Sequence, residues 1–305
     1  MDTSPRLPST RAFAIAEAVL ATLVWASSFV FVKLILPHVG PLSIAGLRYF
    51  LAFLVLLPFI LGQRRFLSRI EPRMVGLLAL IGISAYAIGN GALFWALRYL
   101  PATTVSFMMS GSPILILLAA ILVLKEFPTR WQLLGVVITV FGGSLFFAPG
   151  FQSNEPLGLA IATVGLVGFT TFGIVGRSVA RDKRTSTVIL TGLPLAIGGG
   201  LLLVIGFAIE GWPVLHPTAW LIIAWLAIVN TAFAYTLYNH ALRSITALEM
   251  NVILNLSPLG TALLAAVVLD ESFSSVQILG IATVVLGVSL VQVAGNKRKV
   301  ALHAA

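Results

Sequence analysis

The sequence predicts an all-α, polytopic membrane protein whose ten transmembrane helices form two inverted five-helix repeats. Three observations predict this fold: the composition, an internal repeat and the positions of the basic residues. Residues of the set AVILMFWYC make up 59% of the 305 residues, charged residues make up only 10%, and the mean hydropathy is +1.04. A soluble domain carries roughly a quarter charged residues, so this chain cannot cover a water-facing surface of its size.

The internal repeat has a constant offset of 145 residues. Residues 96–145 align with residues 241–290 without a gap, and Arg98, for example, falls on Arg243. Self-similarity at a fixed offset indicates a duplicated unit. The unit is apolar and long enough to cross a membrane more than once, and inverted repeats of this kind build transporters. The sequence therefore predicts a transporter.

Ten apolar stretches can each cross a bilayer, which takes about 20 residues per helix. Turn-forming or charged residues separate them, as at 37–40, 125–128 and 270–271. We number the predicted spans 1 to 10 in chain order: 12–36, 41–62, 73–98, 101–124, 130–148, 157–178, 186–209, 218–242, 246–269 and 274–294.

The spans predict the division of the chain. A cytoplasmic N-terminal tail (1–11) precedes the first repeat (12–148), an outside linker (149–156) leads to the second repeat (157–294), and a basic cytoplasmic tail (295–305) follows. Each repeat has five helices, an odd number, so the second copy must enter the membrane in the opposite sense. A state open to one side then has a near-mirror partner open to the other, which predicts alternating access to a polar site at mid-depth between the repeats.

The basic residues orient the spans. With a cytoplasmic N-terminus, 16 of the 19 Lys and Arg residues lie on the cytoplasmic side, and the positive-inside rule therefore predicts that both termini are cytoplasmic. The sixteen are Arg6, Arg11, Arg64, Arg65, Arg69, Arg73, Lys125, Arg130, Arg177, Arg181, Lys183, Arg184, Arg243, Lys297, Arg298 and Lys299. The single Asn-x-Ser/Thr sequon, 255–257, lies inside span 9, which favours a bacterial cytoplasmic membrane over a glycosylated eukaryotic one.

A polar face recurs at corresponding positions of spans 4 and 9, and in each span it ends at a proline. The stripes consist of Ser106, Ser110 and Pro113 in span 4, and of Asn251, Asn255 and Pro258 in span 9. The spacing of i, i+4 and i+7 places each set on one helix face. Proline frees a backbone carbonyl, and such groups in a membrane line protein-buried or wet cavities. We expect cavity lining, while the alternative is that Ser and Asn only join helices.

Spans 5 and 10 carry glycines seven residues apart on one face: Gly135 and Gly142, and the related Gly280 and Gly287. Small residues let helix backbones approach closely in a membrane. The pattern predicts a packing interface and no substrate role.

Further candidates for substrate binding are aromatic or amide side chains near the middle of spans 1, 3 and 8. They are Trp25 and Ser28, Tyr86 and Asn90, and Asn230, Tyr235 and Tyr238. A Trp or Tyr at mid-depth lies outside the interfacial belt and can stack on a substrate while its polar tip forms a hydrogen bond. Packing within the helix core is an equally good reading of each residue taken singly.

Charged residues inside the spans are few. Glu17, Lys33 and Glu249 lie within about six residues of a helix end and can extend to the interface. Arg48 is deeper, so it is expected either to hold a substrate carboxylate or to brace its helix. The spans have no carboxylate at mid-depth, which favours a facilitator, or an exporter driven by the substrate gradient, over proton exchange.

Chemistry other than transport has little support in the residues. The chain has no cysteine, and its four histidines lack a spaced acid partner. A nucleophile with its base and a metal site are therefore not expected, and the chain is predicted to be no enzyme and to need no cofactor or metal. The expected partners are a small molecule and the lipid bilayer, with no nucleic acid, and a monomer suffices for the predicted site.

Several motifs together resemble the drug/metabolite transporter superfamily, in its ten-helix EamA-type branch. They are Trp25-Ala-Ser-Ser-Phe with Lys33, Leu47-Arg48-Tyr49-Phe50, and the two Ala-Leu-Arg…Ser-Pro…Glu…Gly blocks of the repeat. The resemblance implies a basket-shaped bundle in which helices 1, 3, 4, 6, 8 and 9 surround a central cavity and helices 5 and 10 pack together. It also implies that Glu126 and Glu271 cap or brace the loops after spans 4 and 9. The overall pattern looks most like the bacterial aromatic amino-acid exporters.

The leading functional hypothesis is export of amino acids, aromatic ones among them, or of related small metabolites. Efflux of drugs or other toxic compounds is the alternative, but a lipophilic cation would need a buried counter-charge that the spans do not supply. A purely structural or receptor role predicts that the protein carries no flux in liposomes.

Overall fold

The computed structural model describes residues 10–63, 70–96, 98–100, 102–148, 154–182, 185–257, 259–260, 264 and 274–304. Within these ranges all regular structure is helical, as predicted. Eight described helices are long and apolar enough to cross a membrane, and a shorter apolar helix covers Met108–Leu124. The expected all-α polytopic fold is therefore confirmed.

The helices follow the predicted spans, and we number them α1 to α10 accordingly. Their bounds are α1 Thr10–Ile35, α2 Pro41–Leu61, α3 Pro72–Ala96, α4 102–124, α5 Arg130–Phe147, α6 Pro156–Arg181, α7 Thr187–Glu210, α8 Pro217–Ala241, α9 Ala247–Leu254 and α10 Ser275–Ala304. The remainder of span 9, with Pro258 and Glu271, lies outside the described residues apart from a few positions.

Helix starts agree with local chemistry. Four of the helices begin at proline, whose missing N–H costs nothing in the first turn. Two others begin with a capping box, in which side chain and backbone of two residues bond reciprocally. The boxes pair Thr129 with Gln132 at α5 and Thr246 with Glu249 at α9.

Helix α4 is interrupted next to Pro113, which the sequence marks as a helix-interrupting residue, and helix α10 extends beyond its predicted span. Helix α4 is broken at Gly111 into Ala102–Ser110 and Ser112–Ala119, because Pro113 sits in the first turn of the second segment and cannot donate a hydrogen bond to the first. Helix α10 continues to Ala304, so the backbone stays helical beyond the predicted end of span 10 at residue 294. The end of the apolar run marks where the chain leaves the lipid. A helical backbone makes its own hydrogen bonds, so the helix can continue into water.

The duplication is visible in the helix bounds themselves. Pro72 and Pro217 begin α3 and α8, and Ala96 and Ala241 end these helices, each pair at the offset of 145. Both helices also contain a wider π-helical segment, Ile83–Asn90 in α3 and Ile228–Phe233 in α8, and the two segments begin at corresponding positions. The repeat therefore reaches beyond the aligned residues 96–145.

Contacts between the repeats show that the two copies are inverted. Arg11, at the start of α1, bonds Glu249, while Arg177, near the end of α6, bonds Glu126. Glu126 also accepts a hydrogen bond from the backbone of Ala247, two residues before Glu249. The start of α1 and the end of α6, its counterpart in the second repeat, therefore lie at one end of the bundle. We call this the near end, and the opposite end, where α1 finishes, the far end.

Close backbone contacts join the repeats along two helix pairs. In the α5–α10 pair, a Cβ atom on Gly142 would lie 2.6 Å from the Val284 nitrogen, and one on Gly287 would lie 2.4 Å from Thr139 Oγ1. The related Gly135 and Gly280 lie in the same contact, as the sequence pattern predicts for a packing interface. In the α2–α7 pair, a Cβ on Gly46 would lie 2.4 Å from the Leu203 Cα.

We expect Gly142→Leu to lower the thermal unfolding midpoint of the detergent-purified protein by several degrees. The added side chain meets backbone atoms that cannot move aside, and overpacking of this kind costs about 1–3 kcal/mol. Gly76→Leu is the matched control, because nothing lies within 4 Å of a Cβ placed there. Equal midpoints for the two variants would contradict the assigned role of the α5–α10 glycines.

Candidate substrate site

Six aromatic side chains meet where the two repeats face each other. Trp25 lies 4.8 Å from Tyr235 and 5.6 Å from Tyr238 between ring centroids, and Tyr86 lies 5.4 Å from Tyr235. We call the set the aromatic cluster: Trp25, Tyr49 and Tyr86 from the first repeat, and Phe172, Tyr235 and Tyr238 from the second. Offset and edge-to-face pairs at these separations are the favoured aromatic geometries.

The tyrosine tips are part of this arrangement. Tyr49 and Tyr86 lie 4.7 Å apart, Tyr238 stacks on Phe172 at 5.3 Å, and the side chains of Tyr49 and Tyr235 share a hydrogen bond. The cluster therefore offers flat apolar faces with hydroxyl groups between them. That combination suits a substrate with an aromatic or aliphatic group and polar edges.

Arg48 is buried beside the aromatic cluster. Its Nη1 donates to Ser28 Oγ at 2.9 Å and its Nε donates to Thr231 Oγ1 at 3.2 Å. Its guanidinium carbon lies 4.9 Å from the ring centroid of Tyr49. The charge thus sits at a junction of α1, α2 and α8, held by neutral hydroxyls. A neutral cradle orients the guanidinium without neutralising it.

Asn230 joins α8 to α1. Its Nδ2 donates to the Val24 backbone carbonyl at 2.6 Å and to Ser27 Oγ at 3.1 Å. The backbone carbonyl of Asn230 accepts from Trp25 Nε1 at 2.8 Å. Its Oδ1 is fully buried and has no hydrogen-bond partner among the described residues. A buried amide oxygen without a donor costs free energy, which marks this atom as a candidate acceptor for a ligand group.

The π-helical segments explain how these side chains converge. Asn230 and Thr231 lie within the segment of α8, which ends just before Tyr235, and Tyr86 lies in the related segment of α3. An extra residue in a turn rotates the side chains that follow and leaves backbone carbonyls without their usual donors. Such segments occur frequently at functional sites. In α3 the freed Ala85 carbonyl accepts from Asn90 Nδ2 at 2.9 Å, so Asn90 bonds its own helix.

The polar stripes of α4 and α9 contact neighbouring helices. Ser110 packs against α5, where a Cβ on Gly143 would lie 2.8 Å from its own Cβ. Pro113 follows the break at Gly111, so the i, i+4, i+7 rule for one continuous helix covers only Ser106 and Ser110. Asn251 accepts from Ser112 Oγ at 3.2 Å, and Asn255 Nδ2 donates to the Asn251 carbonyl at 3.1 Å.

Two of the predicted stripe residues give no geometry, because the side chain of Ser106 and the whole of Pro258 lie outside the described residues. Three residues of the site were missed from sequence: Tyr49, Phe172 and Thr231. The repeat offset could have found Thr231, since it corresponds to Tyr86. Tyr49 follows Arg48 directly, and no pattern singles out Phe172 among the 19 phenylalanines.

Two carboxylates expected to extend to the interface are instead paired inside the bundle. Glu17 contacts His240 Nδ1 at 2.7 Å, and Glu249, which is 2% exposed, binds Arg11 at 3.0 Å. Each partner comes from the opposite repeat, so the sequence around the carboxylate gives no sign of it. The side chain of Lys33 lies outside the described residues.

An apolar groove between α2 and α8 does not contribute to this site. It has a volume of about 310 Å³ and is lined by Leu51, Leu54, Val55, Ala224, Ala227 and Ile228. Its side chains offer no polar group to orient a metabolite, whereas the junction around Arg48 does.

Residues 12–148 and 156–293 each match the EamA-like transporter family. The chain belongs to that family. The match confirms the superfamily resemblance, and with the apolar helices it identifies a multi-pass membrane transporter. The aromatic exporter subgroup stays a prediction.

Three relatives illustrate the range of the EamA-like family around this chain. An S-adenosylmethionine/S-adenosylhomocysteine transporter of Chlamydia trachomatis (serovar L2) is 28% identical over 89% of this chain and 86% of its own length. An uncharacterized transporter of Archaeoglobus fulgidus is also 28% identical, over 83% and 88% of the two chains. An uncharacterized inner membrane transporter of Escherichia coli K12 is 23% identical over 88% and 87%.

One solved crystal structure of another protein has a TM-score of 0.79 against this chain. The two are 18% identical, and the alignment covers 94% of this chain and 99% of the other. At this identity the likeness establishes the fold alone.

We expect Thr231→Val to lower the unfolding midpoint, because Arg48 Nε then loses its acceptor in a buried site. An unsatisfied buried donor costs about 1–3 kcal/mol. Thr231→Ser keeps the hydroxyl and is expected to stay close to the parent. Thr236→Val is the matched control, since the Thr236 hydroxyl bonds only the carbonyl of Ala232 one turn away in the same helix. A loss as large in Thr236→Val as in Thr231→Val would contradict the bracing of Arg48.

Proposed function

We propose that this EamA-like transporter exports amino acids, aromatic ones among them, or metabolites that contain an amino-acid group, by alternating access through the junction between its repeats. The observation that carries the proposal is the buried guanidinium of Arg48 next to the aromatic cluster. A cation with a planar pair of donors suits a carboxylate, and aromatic faces suit the rest of the molecule.

The carboxylate contact rests on the donors of Arg48. Its bonds to Ser28 and Thr231 engage two of the five N–H groups of a guanidinium. We assign the other donors to the substrate carboxylate. No carboxylate of the described residues forms an ion pair with Arg48, so the substrate itself would supply the counter-charge.

The ammonium contact is assigned to Asn230. Its buried Oδ1 has no donor within the part of the chain that the structure describes, and the next residue, Thr231, is already a partner of Arg48. An α-amino acid presents a carboxylate and an ammonium a few ångströms apart. With Arg48 for the carboxylate and Asn230 for the ammonium, the site would therefore bind a zwitterion in preference to a simple carboxylic acid.

The aromatic cluster supports two kinds of substrate side group. A benzyl or indole ring would stack on it, and so would the adenine of S-adenosylmethionine, whose sulfonium could also lie over an aromatic face. The named Chlamydia relative makes the second kind a specific candidate for this chain. Both kinds share the amino-acid group, and both would use Arg48.

Efflux of drugs stays the alternative. The proposal also includes export as the direction of transport, the absence of enzymatic activity and a cytoplasmic location for the near end. The basic residues near that end support the orientation. We keep facilitated transport as the working hypothesis for energy coupling. Flux that responds to an imposed pH gradient in proteoliposomes would contradict it.

Counterflow in proteoliposomes tests the substrate class. The panel consists of labelled phenylalanine, tryptophan, alanine, S-adenosylmethionine and a lipophilic dye cation. We expect uptake of one or more of the amino-acid compounds and its loss by at least tenfold in Arg48→Gln, because a charge-assisted bidentate contact is removed. Flux of the dye alone, unchanged in Arg48→Gln, would favour drug efflux and contradict the proposal.

Trp25→Ala is expected to weaken transport of phenylalanine and tryptophan more than that of alanine. Loss of a stacking face costs about 0.5–1.5 kcal/mol, which is a few-fold in apparent affinity. Trp25→Phe, which keeps a ring, is the matched control, and Trp131→Ala at the near-end surface controls for loss of any tryptophan. An equal effect of Trp25→Ala on all three amino acids would exclude stacking by Trp25.

A further inference from the structure

Charged and amide side chains concentrate where the repeats meet at the near end. We call five residues that form bonds between the repeats there the near-end latch: Arg11, Glu126 and Gln132 from the first repeat, and Arg177 and Glu249 from the second. All are buried or half-buried. None of them belongs to the aromatic cluster or to the junction around Arg48.

Glu249 is the centre of the latch. Arg11 reaches both of its carboxylate oxygens, Nη1 to Oε2 at 3.1 Å and Nη2 to Oε1 at 3.0 Å, and Gln132 Nε2 donates to Oε1 at 3.3 Å. The same carboxylate accepts from the backbone of Thr246 at 2.9 Å and so closes the capping box of α9. One side chain thus ties α1 and α5 of the first repeat to α9 of the second.

Glu126 makes a second crossing close by. Its Oε1 accepts from Arg177 Nε at 2.9 Å, and its Oε2 accepts from the backbone of Ala247 at 3.3 Å. Arg177 also donates to the Leu242 carbonyl at the end of α8. The first turn of α9 is therefore held from two sides by side chains of the first repeat, and its unpaired N–H groups favour the negative charge.

Helix α10 also contacts the latch, through Gln292 and Gly295. Arg11 Nη2 donates to the Gln292 carbonyl at 3.0 Å, and Gln292 Nε2 donates to the Glu249 carbonyl at 3.0 Å. A Cβ on Gly295 would lie 1.8 Å from Glu249 Oε1, so a glycine is required for this approach.

The corresponding positions at the far end cannot build the same centre. At the offset of 145, Glu249 corresponds to Thr104, a neutral residue that is fully buried in α4. The far-end crossing in the described residues is instead made by Glu210, which accepts from the backbone of Leu42 and Ser43 at 3.1 and 2.8 Å. It joins α7 to α2, two helices that already pack through glycine. The polar contacts that join the repeats therefore differ between the near end and the far end, although the two repeats are copies.

We propose that the near-end latch is the gate of the transport cycle on that side, and that the charge of Glu249 sets how often it opens. Opening the near end separates α1 and the α4–α5 loop from α6 and α9, which breaks the bonds of Glu249 and Glu126. Glu249 is thus a positioning residue for alternating access. The inference rests on the alternating access proposed above and is independent of the substrate.

Glu249→Gln separates this role from helix capping. Glutamine is as good a capping-box partner as glutamate, so α9 keeps its start. The neutral amide forms weaker bonds with Arg11, because charge-assisted hydrogen bonds are roughly twice as strong as neutral ones. The variant therefore loosens the latch while leaving the local fold in place.

The chain contains no cysteine, which allows specific spin labelling. Arg130→Cys and Arg181→Cys place labels on exposed near-end positions of the first and second repeats. Pulsed dipolar spectroscopy of the full chain in lipid nanodiscs, without substrate, then reports the separation of the repeats. We expect Glu249→Gln to increase the long-distance population about fivefold, the size of a lost charge-assisted bond. Glu249→Asp keeps the charge and is expected to restore most of the short-distance population.

Glu210→Gln is the matched control, because it neutralises an inter-repeat carboxylate at the far end. It is expected to leave the near-end distances unchanged. If Glu249→Gln does not fold, the double variant Arg11→Gln/Glu249→Gln replaces it, since it leaves no lone buried charge. Distances identical to the parent in a folded variant, or an equal shift in Glu210→Gln, would overturn the gate. Failure of counterflow would leave this result unaffected, so the two proposals fail separately.

Discussion

Inside a bilayer no water is available, so each polar side chain that leaves the lipid must find its partner within the protein. That constraint governs every functional feature of this transporter. Arg48 is held by two hydroxyls, Asn230 bonds the backbone of α1, and the carboxylate of Glu249 has partners from α1 and α5. In each case the partner comes from another helix, and often from the other repeat. Polar residues therefore join the bundle at a few points, while glycine contacts bring the backbones together.

The repeats are joined by two kinds of contact, backbone packing at glycines and bonds between side chains. Glycines in α5 and α10, and in α2 and α7, press backbones together with little freedom to part. Other crossings depend on side chains: the aromatic cluster and Arg48 in the middle, the near-end latch at one end, Glu210 at the other, and the Glu17–His240 pair. Side-chain bonds can break and reform without disturbing a helix, whereas backbone packing cannot. A bundle with rigid pairs and side-chain closures is suited to rocking of one repeat against the other.

Much of the fold could be predicted from the sequence, and less of the site. The apolar stretches led to ten spans, the basic residues oriented them, and the helix bounds at Pro72, Ala96, Pro217 and Ala241 keep the repeat offset of 145. Trp25, Tyr86, Tyr235 and Tyr238 were recognised as aromatic residues at mid-depth, and they do meet. The break at Gly111 separates Pro113 from the segment of α4 that carries Ser106 and Ser110, so a spacing rule for one continuous helix does not apply to all three. Phe172 carried no signal, since a phenylalanine in an apolar span resembles its neighbours.

By itself, the sequence determined that this chain crosses the membrane repeatedly, that its halves are inverted copies, and that α5 and α10 carry packing glycines. Hydropathy, offset and small-residue spacing are properties of one helix at a time, so they can be read along the chain. Only the tertiary structure decided that Glu17 and Glu249 are paired within the bundle, and that Arg48 rests on Ser28 and Thr231. Those partners lie from 20 to 238 residues apart, and the chain brings them together only when ten helices pack.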